Sequence, residues 1–298
     1  MFGTEIYSSK HDNMKRILIL SALCLQSIFM QAQNTPDLKA DTAAITETAL
    51  NYGEGWYSGD AVRMEKAIHP DLNKICPVVM PQSGKTILMI SSWSGLVEPA
   101  RAKAGFMEES ERKIEVKVLK INENVACAKL TSAQFNDYLE MVKFDGQWKI
   151  VNVLWTFGPD SPNRAPMPDF KGDGEKPAVE LAVRDMIEGI YTSDVSRVEK
   201  VLHPEYRRAT AMTIPATGKT FIQKDAAGNI MEAVRAKLGA QPKEKWNMQV
   251  NVFDILDGLA FAELVTPSAH NYLQMAKIDG QWKIINILRK MASPPAKK

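Results

Sequence analysis

Histidine and cysteine are scarce in this chain, four and three among 298 residues. No second histidine stands at ligand spacing in either half, so metal chemistry has little to build on, and two or three thiols do not make a disulfide scaffold. Charge of one sign is missing too: the net charge is +2 and the lysines and arginines are not clustered, which excludes an electrostatic footprint for nucleic acid. Beyond residue 33 no apolar run approaches the length of about 18 residues that a spanning helix requires. The sequences "SGKT" and "TGKT" lack the glycine that a phosphate loop needs five residues earlier, where Val79 and Thr213 stand. They read instead as strand-connecting turns in which Gly84 and Gly218 take an unusual φ angle. No metal, organic cofactor or polyanion partner is implied.

What is present begins with "MKRILILSALCLQSIFMQAQ" (Met14 to Gln33). Lys15 and Arg16 precede an apolar run from Ile17 to Met30, and Ala32 stands at a cleavage point, the layout of a secretory signal. The mature chain is expected to begin near Gln33 and to be periplasmic or secreted. Cys24 lies within the run, but the preceding "SAL" fits a lipoprotein signal poorly. Cys76 and Cys127 then remain, and an oxidising compartment would permit a bridge between them. Thr210 and Phe261 stand at the corresponding places in the second half, so the fold does not depend on that bridge.

Sliding the chain over itself by 134 positions aligns residues 44–155 with 178–289 without a gap, giving 37 identities in 112 pairs. That is an internal duplication. "FDGQWKIVN" returns as "IDGQWKIIN", "RMEKAIHP" as "RVEKVLHP" and "EPARAKAG" as "EAVRAKLG". Residues 157–177 between the copies hold five prolines and read as an exposed linker. The expected organisation is therefore an extension and signal over 1–33, a first domain over 34–157, a linker over 158–175, a second domain over 176–292 and a short tail.

Each copy runs through the same elements. Ile45, Ala49, Tyr52, Gly53 and Trp56 recur at helical spacing, as do Val179, Val183, Met186, Ile187 and Ile190. Asp60 and Asp194 stand as N-caps of a second short helix that is expected to stop at the His-Pro pairs, 69–70 and 203–204. A third helix is expected around Val97 to Lys103 and Met231 to Lys237. The remainder is strand, closed by the Asp145-Gly146 and Asp279-Gly280 hairpin turns. Strict alternation on the last strand of copy one puts Trp148, Ile150, Asn152 and Leu154 on one face. Lys149, Val151, Val153 and Trp155 fall on the other, so both faces are apolar enough to be buried. The expectation is an α+β fold: two cone-shaped domains, each a curved, mostly antiparallel sheet wrapped around a long N-terminal helix.

The opening helix ending in Gly-Asp or Ser-Asp, the His-Pro helix stop and the terminal "DGQWKI" hairpin resemble the nuclear transport factor 2-like superfamily, in its lumazine-binding branch. The resemblance covers both copies. It implies that the convex face of each sheet needs cover, which tethered copies supply to each other as an internal pseudo-dimer. Ketosteroid isomerases of this superfamily place a tyrosine, a protonated acid and a carboxylate base at positions occupied here by Tyr52, Glu140 and Cys76. In copy two these become Met186, Gln274 and Thr210. Tyr52 and Glu140 match in type and the base does not. Trp56, Val153 and Trp155 complete the candidate pocket.

The remaining recurrent residues read more simply. His69 and His203, each before proline, fit helix-terminal caps better than general bases. Arg101 and Arg235, one turn after Glu98 and Glu232, fit exposed ion pairs better than anion sites. The functional expectation is an exported protein that binds a small apolar or mixed-polarity molecule in copy one, with copy two as its structural partner. The alternatives are a cofactor-independent isomerase, dehydratase or cyclase using the same pocket, and a protein-interaction module.

Overall fold

The computed structural model describes residues 37–164 and 172–292. The signal segment, Cys24 and the C-terminal tail lie outside the described residues. In the first repeat, helix α1 (Leu38–Ser58) and short helix α2 (Ala61–Ala67) lead into strands β1 (Ile68–Val79) and β2 (Thr86–Ser91). Helix α3 (Ser94–Arg101) precedes β3 (Glu115–Asn122), β4 (Val125–Thr131), β5 (Phe135–Phe144) and β6 (Gln147–Phe157). The second repeat has the same order: α4 (Lys176–Thr192), α5 (Val195–Val201), β7 (Leu202–Thr213), β8 (Thr220–Ala226), α6 (Ala227–Arg235), β9 (Gln249–Leu256), β10 (Leu259–Thr266), β11 (Ala269–Ile278) and β12 (Gln281–Met291).

Each repeat forms one six-stranded sheet, ordered β2-β1-β6-β5-β4-β3 and β8-β7-β12-β11-β10-β9. The pairings are antiparallel except for β1 with β6 and β7 with β12. The α+β architecture expected from the repeat is therefore present twice. Local chemistry explains the element ends. Asp60 Oδ1 accepts from the backbone N–H of Val62 at 3.0 Å and Arg63 at 3.1 Å, and Asp194 Oδ1 from Arg197 at 3.0 Å, satisfying donors that a helix start leaves open. Both residues of each Asp-Gly turn have positive φ, 47° and 84° in one and 49° and 82° in the other, the geometry that matches a two-residue hairpin to strand twist.

Two sequence expectations need correction. Helix α2 ends at Ala67, before the His-Pro pair, which opens strand β1 instead. His69 Nδ1 accepts the backbone N–H of Asp71 at 3.1 Å, and His203 does the same for Glu205 at 3.1 Å, so neither caps helix carbonyls. The strict alternation on β6 also breaks. Glu140 pairs with Asn152 and Met141 with Ile150, so Val151 is an extra residue in a β-bulge. Trp148 and Ile150 consequently share the inner face with Val153 and Trp155, whereas Val151 and Leu154 face outward. The bulge recurs at Ile285 in β12.

Helix α1 packs on the inner face through Ile45, Ala49 and Tyr52 against Leu130, Leu139, Ile150 and Val153. Helix α4 does the same in the second repeat through Val179, Val183 and Met186. The outer faces of the two sheets share a third core, in which Ile75, Cys127, Tyr138 and Leu154 meet Phe261, Tyr272, Ile285 and Leu288. The pairing is pseudo-twofold: Lys85 bonds Asp279 at 3.2 Å, and its counterpart Lys219 bonds Asp145 at 3.1 Å. Cys76 belongs to the inner core of repeat one and Cys127 to the core between the sheets, so both are buried and free.

Candidate functional site

The inner face of the first repeat closes around a cavity of about 160 Å³. Tyr52, Trp56 and Tyr57 reach it from α1, Lys74 from β1, Phe135 and Asp137 from β5 and Trp155 from β6. At its base lies a buried polar trio. Tyr52 donates to Asp137 Oδ1 at 2.9 Å, Lys74 Nζ donates to the same oxygen at 3.1 Å, and Lys74 also hydrogen-bonds the Tyr52 hydroxyl. The side chains of Lys74 and Asp137 are 8% and 2% exposed, so this ion pair sits in low dielectric, where breaking one partner away strands a charge. Burial first, and the Asp137 carboxylate second, push the Tyr52 phenol well above its ordinary range and keep it a donor.

Aromatic rings surround the ammonium group. Lys74 Nζ lies 4.6 Å from the centroid of Trp155, 5.0 Å from Tyr52 and 5.7 Å from Phe135. Phe135 stands edge-on to Trp155 at 5.2 Å and to Trp56 at 6.3 Å. The indole N–H groups of Trp56 and Trp155 are buried without a hydrogen-bond partner among the described residues. Trp56 Nε1 packs against Gly105, where a Cβ would approach it to 2.0 Å, so only a residue without a side chain fits there. The Trp155 ring lines the cavity beside Lys74, and an unpaired buried donor such as its N–H costs about 1 to 3 kcal/mol until something accepts from it.

Of the expected site residues, Tyr52, Trp56 and Trp155 come together here. Glu140 does not join them. On β5 Phe135, Asp137 and Leu139 point inward, and Tyr138, Glu140 and Val142 point into the space between the sheets. There Glu140 is fully buried and accepts from Asn152 Nδ2 at 2.6 Å, while its Oε1 has no partner among the described residues. Burial pushes its pKa up to about 8, and the hydrogen bonds from Asn152 and the Leu288 backbone pull only part of the way back. Cys76 and Val153 pack in the inner core without lining the cavity. Burial pushes the Cys76 thiol up to about 12, so it is a neutral packing group at physiological pH.

The secondary candidates lie elsewhere. His69 stacks on Phe144 at 4.7 Å, and burial lowers its pKa, as it does that of His203. Arg101 bonds Glu65 at 2.8 Å and Glu98 at 3.3 Å on the surface, and Arg235 pairs with Glu232. Sequence reasoning missed Lys74 and Asp137. The signal that could have found them is their oppositely charged pairing within one copy, set against Arg208 and Asn271 at the same places in the other.

Among the described residues no group of three or more potential ligands could hold a metal ion, and no helix is long and apolar enough to cross a membrane. Comparison with family models matches "Putative lumazine-binding" twice, over residues 40–156 and 174–288. Comparison with curated proteins gives no match. Solved structures similar to this chain include an NTF-2 like protein of unknown function from Silicibacter pomeroyi DSS-3, 15% identical over 40% of this chain and 97% of that one, with a TM-score of 0.35. Another is an ntf2-like protein of unknown function from Shewanella baltica OS155, 17% identical over 42% of this chain and 99% of that one, TM-score 0.34. A ketosteroid isomerase-like protein from Erwinia carotovora atroseptica SCRI1043 is 13% identical over 41% of this chain and 99% of that one, TM-score 0.28.

Proposed function

Because the chain belongs to the Putative lumazine-binding family, twice over, we propose that it is an exported protein that binds a small, flat, acceptor-bearing molecule in the aromatic cavity of its first repeat. One observation carries this reading: a lysine held beneath aromatic rings next to the unpaired Trp155 N–H, at the base of a cavity of about 160 Å³. An apolar cavity of this order holds one aromatic ring, and a site open on one side takes a second fused ring. Aromatic walls favour a planar body, and Lys74 with the Trp155 N–H favours carbonyl or enolate oxygens on its edge. A pteridine dione such as lumazine has that chemistry. Binding is favoured over turnover by an isomerase, dehydratase or cyclase, because Asp137 Oδ1 already accepts from Tyr52 and Lys74 and is poorly placed to act as a base. Use as a protein-interaction module is disfavoured, because the outer sheet faces are spent on each other.

Lumazine added to the full mature chain should quench tryptophan fluorescence saturably. Trp155→Ala and Lys74→Met, each confirmed folded by circular dichroism, should weaken it about tenfold or more, the loss expected for a charge-assisted hydrogen bond and a stacked ring. Absence of lumazine binding, together with native mass spectra from the producing cell that show no retained small molecule, would overturn the reading. Export rests on the Lys15-Arg16 apolar segment; absence of the protein from the exported fraction would sink it, and exported material retaining Met1 or Met14 would sink cleavage near Gln33.

A further inference from the structure

The inner face of the second repeat encloses a larger cavity, about 470 Å³, whose charge differs from that of the first. At the 134-residue offset Lys74 becomes Arg208, Trp155 becomes Arg289 and Asp137 becomes Asn271. A cation balanced by a carboxylate has been replaced by two guanidinium groups beside a neutral amide. The bulge at Ile285 turns Arg289 to the inner face, and Arg208 stands on the adjacent parallel strand, with Ile287 as its register partner. Both line the cavity.

Arg289 has no ion-pair partner among the described residues, and Arg208 keeps one nitrogen without an acceptor. Arg289 Nε donates to Asn271 Oδ1 at 2.9 Å, a neutral acceptor. Arg208 pairs with Asp225 through one terminal nitrogen, but its Nε is buried with no partner among the described residues. Counting Arg208, Arg289 and Asp225, the cluster has one positive charge left over. Burial, and then the neighbouring Arg208, hold the pKa of Arg289 below its ordinary value, so each guanidinium adds to the cost of the other. An anion entering the cavity relieves that repulsion and supplies the missing acceptors, and a planar fork is well matched to a two-oxygen head. Met186, Ile190 and Leu264 give the wall an apolar stretch, Gln241, Thr266 and Ser268 add polar groups elsewhere, and Leu238 is an exposed member of the lining.

We propose that the second repeat binds a small organic anion, its carboxylate or phosphate head held by the guanidinium groups of Arg289 and Arg208 and its apolar body laid along Met186, Ile190 and Leu264. This site is separate from the lumazine-type pocket and does not depend on it.

Calorimetric titration of the full mature chain with hexanoate, hexyl phosphate and hexanol tests the proposal. At least one anion should bind one to one, with hexanol at least about tenfold weaker, and the better of the two heads identifies the group selected. Arg289→Gln should weaken the anion about tenfold or more, and Met186→Trp, which fills the cavity without touching the charges, should abolish binding. Neither variant should change lumazine quenching in the first repeat, so failure of one site is distinguishable from failure of the other. Hexanol binding as tightly as the anions, binding of neither anion, or anion binding that survives both substitutions would overturn the inference.

Discussion

Replacing Glu140 with glutamine should stabilise this protein, increasingly so as the pH rises. The carboxyl is fully buried between the two sheets, and its pKa stands at about 8 against an ordinary 4.5. The folded state therefore holds a proton that the unfolded chain releases above pH 4.5. Stability is fully present below the unfolded pKa and lost as pH rises through the folded one. The loss amounts to about 1.4 kcal/mol per pH unit, on the order of 4 to 5 kcal/mol between pH 4.5 and 8, with about 3 kcal/mol already gone at pH 7. The counterpart residue shows what an amide does in this place. Gln274 Nε2 donates to the Tyr138 carbonyl at 2.8 Å, and its Oε1 accepts from Asn286 Nδ2 at 2.8 Å. Glu140→Gln removes the titration while keeping the acceptor for Asn152. Urea unfolding of wild type and variant at half-unit steps from pH 5 to 8.5 reads the difference directly, because all other titrating groups cancel in the subtraction. The variant's advantage should grow by several kcal/mol across that range. A difference that stays flat would refute the assignment of Glu140 as a buried, protonated acid.

Other outcomes follow from the same geometry. Lys74→Met should cost about 3 to 5 kcal/mol in unfolding free energy by stranding Asp137, and Lys74→Met with Asp137→Leu should recover most of it; equal losses in single and double variants would show that the pair is not coupled. Asp194→Ala should lower stability by about 1 kcal/mol in thermal denaturation through loss of the α5 cap, leaving hexanoate binding intact. Cys76 and Cys127 should both resist a thiol reagent in the native protein and react together once it is denatured, since both are buried with raised pKa values. Because the sheets share a core, heating should unfold both repeats in one transition, and two separated calorimetric peaks would contradict that sharing.

The fold was legible in the sequence because its signals are local and are written twice. Helical spacing of apolar residues, an aspartate cap and an Asp-Gly turn each act within a few residues, and recurrence at a fixed offset separates them from chance. The candidate site was only half legible. Tyr52 and Trp56 lie on a helix whose buried stripe identifies itself, but strands with two apolar faces do not reveal which face is inner. Alternation along β5 sets Asp137 and Glu140 on opposite sides without saying which side holds the cavity, and the resemblance to isomerases pointed to Glu140, which does not line it. The β6 bulge then moved Trp148 and Ile150 onto the face of Trp155, a displacement set by hydrogen-bond register between strands rather than by residue type. Lys74 was hidden by its chemistry, since a lysine in a strand normally marks solvent. Only its distant partner Asp137, brought across the sheet by folding, makes it a buried residue.

The core between the sheets places a cysteine in one copy where the other has a phenylalanine. Phe261 lies 5.3 Å from Tyr138, whereas the mirror-related Tyr272 is buried near the much smaller Cys127. In an assembly of two identical chains every substitution at such a contact enters twice. Joining the halves in one polypeptide lifts that obligation. Each side of the seam then varies by itself, one copy enlarging where the other shrinks. The same freedom reaches the two cavities behind the seam, one keeping a neutral lysine-aspartate pair and the other collecting arginines, without either change being imposed on its twin.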